Sequence, residues 1–387
     1  MISPFVRPIV TASVAGIAAL GFALAASAQA PIKIGAPLAL TGPASLLGDP
    51  QKKTFDLMIP KINAEGGVNG RKIEIVMYDT GSEAKNMVTF TKRLIDDDKV
   101  DIIIGGTTTG ETMAVVPIIE QTGIPMISQG GASIVTDPVK KWIFKTPHTD
   151  TMAISKVYED MKKTNLAKVG LIAGDGGFDK SCIANAEALA KKYDMQIVGN
   201  ETIGRGDTDF TAQLTKLKNA PGIQAILFCG FGQSSVIINK NYRQLALNNI
   251  PFYHNHGSCS KTVVNESGGA MEGVKLPCPA VVVAEKLPDS DPNKKPAMAF
   301  VGPYKEKYKE EPPTFGAHIY DALLIFVDSA KRAGSSDHAK LRDAIEGTTN
   351  LATSAGTFNM SPTDHMGLKL SDFKMLQVKG GDWSVLY

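Results

Sequence analysis

The sequence predicts an α/β protein of two lobes, each a doubly wound, Rossmann-like parallel sheet with helices on both faces. Short apolar strand-like runs alternate with amphipathic helical segments twice along the chain, which is typical of parallel sheets. The 387 residues are also too many for one compact core, which favours two domains. A polar, proline-bearing segment at 287–292 precedes further helices. The chain is therefore expected to cross back to the first lobe, so that both lobes are discontinuous.

The elements of the first run follow from apolar periodicity and from the glycines and prolines between them. The expected strands are Ile32–Leu38, Lys72–Tyr78, Ile102–Ile104 and Pro125–Ser128, and the expected helices are Lys53–Asn63, Glu83–Asp98 and one beginning at Thr108.

The second run restarts after Pro147 with the same alternation. The expected helices are Met152–Thr164, Phe178–Tyr193, Phe210–Lys218 and Ser234–Ala246, and the expected strands are Val169–Ala173, Gln196–Ile203, Ala225–Phe228 and Pro251–His254. Returning helices at Lys294–Glu310, Phe315–Ala333 and Asp337–Glu346 precede short strands near Gly356–Asn359, Leu368–Leu370, Lys374–Val378 and Trp383–Leu386.

The stretch from Asp101 to Ser133 places two loops after neighbouring strands of the first run. Thr108 and Glu111 have the spacing of a capping box, and Pro117 should kink the helix or end its first segment. Open α/β sheets bind ligands at this edge, and helix N-termini favour anions. The loops therefore indicate a small carboxylate, unless the threonines only cap a helix and the glycines only turn the chain.

Residues 1–30 are typical of a signal peptide. Arg7 supplies a positive start, an apolar segment follows, and Ala28-Gln29-Ala30 matches a cleavage site. The mature chain should begin near Pro31 and be free in the periplasm, an oxidising compartment. A retained membrane anchor is the alternative.

Charge and cysteine content exclude some function classes. The net charge of +2 falls to about +1 without Arg7, and lysines are interspersed with acids, so nucleic-acid binding is not expected. None of the four cysteines has CxxC spacing, which argues against a zinc or redox motif. We expect a disulfide between Cys259 and Cys278. Cys182 and Cys229 are interpreted as small apolar filler, although other pairings stay open.

Four segments resemble the type I periplasmic binding proteins of the branched-chain amino-acid and amide class: IKIGAPLALTGPASLLG, INAEGGVNGRKIEIVMYD, IIIGGTTTGETMAVVPIIEQTGIPMIS and DTDFTAQLTKLK. The resemblance runs in order along nearly all of the mature chain. It implies two lobes joined by three hinge crossings, closing on a small solute that is delivered to an ABC-type permease. The lobes would comprise residues 31–147 with 285–367, and 148–284 with 368–387.

The resemblance also places the first lobe's ligand-binding positions. The hydroxyl that binds the ligand carboxylate falls on Thr109, with Thr108 beside it. The backbone positions of the second loop fall on Gly130 and Ala132, with Ser133 adjacent.

Apolar positions of the same site fall on Leu47, Phe178, Phe231 and Phe315. Leu47 would form a lid and the three phenylalanines would hold the body of the ligand. Without the resemblance, these phenylalanines would be interpreted as core residues.

His256 occupies the position where amino-acid binders carry the carboxylate that holds the ligand ammonium. A buried ammonium without a counter-charge costs several kcal/mol, so an α-amino acid is disfavoured. Three phenylalanines and a histidine suit a flat aromatic acid or another apolar acid. His254 and His256 could share a metal, but the sequence offers no third ligand, so no metal is expected.

The function expected from these features is solute binding for an ABC importer, with an aromatic acid resembling benzoate, hydroxybenzoate or a phenylpropenoate as ligand. We expect a monomer with a transient permease partner, no cofactor and no catalytic residue, since GxSxG, HExxH and GxxxxGK[ST] do not occur. The alternatives are binding of a branched-chain amino acid or amide, a ligand-sensing module for a membrane receptor, and an enzyme.

Overall fold

The computed structural model describes residues 1–2, 4, 30–204 and 206–387. The proposed signal peptide, residues 1–30, falls mostly outside this range and stays a prediction. Among the described residues, no helix combines the length and apolar character needed to cross a membrane.

The first sheet has five parallel strands. They are β1 (Ile32–Leu38), β2 (Ile73–Asp79), β3 (Ile102–Gly105), β4 (Met126–Ser128) and β5 (Ile143–Lys145), in the order β2-β1-β3-β4-β5. Helices α1 (Ser45–Ala64), α2 (Ala84–Asp96) and α3 (Thr109–Thr122) connect the first four strands. Strand β5 is not predicted from the sequence, because it has only three residues, preceded by two lysines and a tryptophan, and so short a run shows no periodicity.

The capping box that opens α3 is confirmed. The Thr108 side chain accepts a hydrogen bond from the backbone N–H of Glu111, whose carboxylate accepts from the Thr108 N–H. Gly123 ends the helix in the left-handed conformation, at φ 68°. Pro117, expected to kink the helix or end its first segment, does not end it: α3 continues to Thr122.

The second sheet has seven strands and contains the chain's C-terminal segment. Its strands are β6 (Lys168–Ala173), β7 (Gln196–Thr202), β8 (Ala225–Cys229), β9 (Phe252–His254), β10 (Lys275–Pro279), β13 (Phe373–Lys379) and β14 (Asp382–Val385), in the order β14-β13-β10-β9-β8-β6-β7. Strands β6 to β10 are parallel, whereas β13 and β14 are antiparallel to their neighbours. Its helices are α4 (Asp150–Lys163), α5 (Gly177–Ala190), α6 (Thr211–Lys218), α7 (Gln233–Gln244) and α8 (Lys261–Glu266).

The helices that follow return to the first lobe, as expected. They are α9 (Lys294–Tyr308), α10 (Thr314–Ala333) and α11 (His338–Glu346), and they share one hydrophobic core with β1 and α1. The short strands β11 (Leu351–Ala352) and β12 (Thr357–Phe358) pair with each other. The strand expected at 368–370 is wrong, because a 3₁₀ turn occupies Leu370–Asp372. The two-lobe α/β fold is confirmed, while the lobe boundaries stay a prediction.

Two disulfides fasten the second lobe. One joins Cys259 to Cys278, the pair selected from the sequence, with Cα atoms 5.7 Å apart. The other joins Cys182 on α5 to Cys229 at the end of β8, with Cα atoms 5.8 Å apart. The interpretation of Cys182 and Cys229 as apolar filler is therefore wrong. They lie 47 residues apart, and only the packing of α5 against the sheet brings them together.

Replacing Cys259 and Cys278 together by alanine is expected to lower the free energy of unfolding by about 3 kcal/mol, because the bridge closes a loop of 19 residues. Urea unfolding of oxidised wild type and the double variant would measure this loss. The Cys182 and Cys229 pair, replaced in the same way, provides a matched comparison. An unchanged free energy of unfolding would contradict the prediction.

Candidate functional site

A cavity lies between the lobes, at the carboxyl ends of the central strands of both sheets. The space between its walls, counted together with its opening to solvent, is about 400 Å³. Its lining consists of Leu47, Thr107, Thr108, Thr109, Gln129, Gly131, Pro147, Phe178, Phe231, His256, Gly257, Phe315 and His318. Seven of the ten ligand-binding residues expected from the sequence therefore share one cavity; Gly130, Ala132 and Ser133 lie outside its lining.

The three threonines after β3 have different hydrogen-bonding states. The Thr107 hydroxyl donates to Gln51 Oε1, at 2.7 Å, and the Thr108 hydroxyl donates to Glu111 Oε2, at 2.8 Å. Thr109 Oγ1 only accepts, from the Ala132 N–H at 3.2 Å. Among the described residues, Thr109 is thus the member of the trio whose hydroxyl hydrogen has no acceptor.

In the loop after β4, the backbone N–H groups predicted to bind the ligand instead donate to other atoms of the protein. The N–H of Gly130 donates to Ser128 Oγ, at 2.9 Å, and the N–H of Ser133 donates to Asp150 Oδ1, at 2.8 Å. The Ala132 N–H donates to Thr109, so both expected donors, Gly130 and Ala132, have partners inside the first lobe. The adjacent Ser133 bonds Asp150 at the start of α4, a helix of the second lobe. The residues of this loop that line the cavity are Gln129 and Gly131, and neither is predicted from the sequence to bind the ligand.

Aromatic rings form the walls of the cavity. The rings of Phe178 and Phe231 are edge to face, with centroids 5.7 Å apart, and Phe178 and His256 are edge to face at 5.3 Å. Phe315 lies beside His318 on α10, with centroids 6.5 Å apart. These side chains are largely buried, but they face the cavity rather than the cores of the lobes.

Two buried histidines line the same space. No hydrogen bond of good geometry reaches either ring nitrogen of His256, or His318 Nδ1, among the described residues. The backbone of His148 and Gly131 nevertheless approaches His256 closely enough to favour its charged form. Burial lowers the pKa of both histidines to about 3, so both are neutral at physiological pH. Sequence reasoning missed His318; its position three residues after Phe315, on the same helical face, was the available signal.

None of the described residues that line the cavity carries a carboxylate. The buried acid Glu111 bonds Thr80 and Thr108, and Asp150 bonds the Ser133 and Thr151 N–H groups. His254, the other histidine considered for a metal, bonds Ser258 Oγ at 2.8 Å and packs against Phe228. Within the described residues, no three histidine, cysteine or acidic side chains are placed to hold a metal ion.

Comparison with known proteins establishes the family. The periplasmic binding protein family matches residues 31–382, and the chain belongs to it. It is a family of solute-binding proteins associated with ABC-type transporters, and its type I fold is the one described above.

The relatives differ in their ligands. A leucine-, isoleucine-, valine-, threonine- and alanine-binding protein of Pseudomonas aeruginosa is 26% identical over 95% of this chain and 94% of its own. The crystal structure of an extracellular ligand-binding receptor from Rhodopseudomonas palustris HaA2 has a TM-score of 0.85 and 25% identity, covering 92% and 100% of the two chains. A solute-binding protein from Rhodopseudomonas palustris BisB5, in complex with 3,4-dihydroxybenzoic acid, shares the fold at a TM-score of 0.78 and 20% identity, covering 91% and 95%.

Proposed function

We propose that this protein is the periplasmic solute-binding component of an ABC importer for an aromatic monocarboxylate of the benzoate, hydroxybenzoate or phenylpropenoate type. The observation that carries the proposal is a cavity with aromatic walls and no carboxylate among its described lining residues. The buried side chain of Lys145 lies next to it and donates a hydrogen bond to the lining residue Gly131. The signal peptide would be removed, and the monomeric protein would meet its permease transiently. The lobes, 31–147 with 285–367 and 148–284 with 368–387, would close by a hinge.

The ligand carboxylate would bind at the N-terminus of α3. The Thr109 hydroxyl has a hydrogen to donate there, and the backbone N–H groups of Thr109 and Gly110 have no acceptor among the described residues. A helix N-terminus also carries a partial positive charge. The neighbouring Thr108 and the loop Gly130–Ser133 would shape this end of the site.

An α-amino acid fits the same site poorly. Its ammonium would need acceptors, yet the carbonyl oxygens of Gly131 and Ala132 already accept hydrogen bonds from Lys145 Nζ. That buried cation would also repel a second one. His256 is neutral and offers no counter-charge, so the ligand ammonium would be buried without compensation.

The ring of the ligand would lie among Leu47, Phe178, Phe231 and Phe315. Aromatic pairs at such spacings contribute about 0.5–1.5 kcal/mol each beyond their buried area. His256 and His318 would meet the far edge of the ring or a substituent on it, because their unpartnered nitrogens can bond a hydroxyl group.

Binding of a branched-chain amino acid is the second candidate, favoured by the Pseudomonas relative. A thermal-shift screen of aromatic and aliphatic acids, with amino acids and amides as controls, tests both candidates. A ligand at 100 times its dissociation constant adds about 2.7 kcal/mol of stability. Tight leucine binding in calorimetry, with no response to benzoate-like acids, would overturn the aromatic proposal.

Replacing Thr109 by valine keeps its shape and removes the hydroxyl, so the affinity for the aromatic acid should fall about tenfold or more. Isothermal titration calorimetry would measure the change. Thr109→Ser, which keeps the hydroxyl, is the matched control and should bind nearly as well as wild type. Equal affinities of the valine and serine variants would remove Thr109 from the carboxylate site.

A further inference from the structure

Lys145, at the end of β5, has a fully buried side chain. Its ammonium donates to two backbone carbonyl oxygens, Gly131 O at 2.9 Å and Ala132 O at 3.0 Å. Among the described residues, no carboxylate forms an ion pair with it. A buried ammonium held mainly by neutral carbonyl groups is costly, so its position calls for an explanation.

Each carbonyl group that accepts from Lys145 belongs to a peptide unit whose N–H group donates a further hydrogen bond. The two N–H groups donate to different acceptors. The unit containing Gly131 O and the Ala132 N–H leads to Thr109 Oγ1, at 3.2 Å. The unit containing Ala132 O and the Ser133 N–H leads to Asp150 Oδ1, at 2.8 Å. One branch therefore ends at a protein carboxylate, and the other ends at the hydroxyl that lines the cavity.

The branch through Thr109 has a defined direction. Because Oγ1 accepts from the Ala132 N–H, the Thr109 hydroxyl hydrogen is available to the cavity. Successive hydrogen bonds polarise one another, so the ammonium makes this hydroxyl a stronger donor. The next atom in this series of hydrogen bonds must accept from the Thr109 hydroxyl. A carboxylate oxygen suits this place because its negative charge is opposite to that of the ammonium.

We propose that Lys145 is a positioning residue and a buried counter-charge for the ligand carboxylate, acting through the Gly131–Ala132 peptide and the Thr109 hydroxyl. The Asp150 carboxylate would then accept the last hydrogen bond of one branch, and the ligand carboxylate would accept the last hydrogen bond of the other. The inference rests on the proposed function, and it adds that the site selects carboxylates over neutral amides of the same shape.

The other titratable groups around Lys145 are Asp150, which favours its charged form, and His148, His256 and His318. Burial lowers the pKa of all three histidines, so they are neutral at physiological pH. His148 stacks on Phe373, with centroids 3.8 Å apart. Lys145, whose pKa is lowered by burial to about 7, is therefore the group whose protonated form supplies positive charge next to the site.

Two variants separate charge from hydrogen bonding. Lys145→Gln can still donate to a carbonyl oxygen but has no charge, and Lys145→Met has neither property. Calorimetry would compare an aromatic acid from the screen with its primary amide. Wild type should prefer the acid by at least about tenfold. Both variants should reduce this preference to about threefold or less, while amide binding by Lys145→Gln stays close to wild type.

Proton uptake gives a second readout that a purely structural role would not change. Burial lowers the pKa of Lys145 to about 7, and a bound anion would raise it. Wild type should therefore take up part of a proton on binding near pH 7, measured by calorimetry in buffers of different ionisation enthalpy. Acid affinity should fall as pH rises above 7. Lys145→Gln should abolish both effects.

The two proposals fail in distinguishable ways. If wild type binds an aromatic acid and both variants keep its acid-to-amide preference and proton uptake, the role of Lys145 is overturned and the proposed function stands. If wild type binds none of the acids, both proposals fall.

Discussion

Replacing His256 by glutamate is expected to lower the affinity for an aromatic acid by about 100-fold or more, equivalent to about 2.7 kcal/mol. The His256 side chain is only 6% exposed and lies edge-on to Phe178, so the new carboxylate would be desolvated inside the cavity. There it would repel the ligand anion, and its negative charge would offset the positive potential that Lys145 provides for that anion.

The control is His256→Gln, which keeps hydrogen-bonding capacity without a charge and should lose much less affinity. Calorimetry with the same acid and with leucine would compare the two variants, because the added carboxylate could also hold a ligand ammonium. If the glutamate variant bound the acid as tightly as the glutamine variant, His256 would not face the bound anion.

The fold was largely predictable because its signals are local. The Thr108–Glu111 capping box, the isoleucine run of β3 and the glycine at 123 each depend on neighbouring residues, and the structure has each of them. Elements with weak local signals were missed. Strand β10 carries two prolines and pairs with β13 almost 100 residues later, so no pattern near it marks a strand.

Site residues were predictable only in two cases. The residue either comes directly after the end of a strand or falls on a ligand-binding position of the family. His318 lies on a helix that returns from much later in the chain, and Lys145 follows a strand too short to recognise. The N–H groups of Gly130 and Ala132 were expected to face a ligand, but Ser128 and Thr109 already accept from them. Which way a peptide unit points is decided by its tertiary hydrogen-bond partners, and sequence does not show these.

Gly131 is where the walls of the two lobes meet. A Cβ atom at this position would lie 2.8 Å from Phe178 Cε2 and 3.0 Å from His256 Nε2, both on the opposite lobe. The backbone here does not have the positive φ that requires glycine. Contact across the cleft is therefore the constraint that this glycine satisfies.

Gly131→Ala is expected to weaken ligand binding about tenfold to 100-fold while leaving the stability of the ligand-free protein nearly unchanged. If the lobes separate in the ligand-free protein, as the proposed hinge requires, the methyl group would meet the other lobe only on closure. Overpacking of this kind costs about 1–3 kcal/mol. Calorimetry would give the affinity, and small-angle scattering with saturating ligand should show less compaction than wild type. Gly302→Ala is the control and should bind normally, because Gly302 lies exposed on α9, away from the cavity, and its Cβ would have no atom within 4 Å. If Gly131→Ala bound and closed like the control, the lobes would not meet at this loop in the liganded protein.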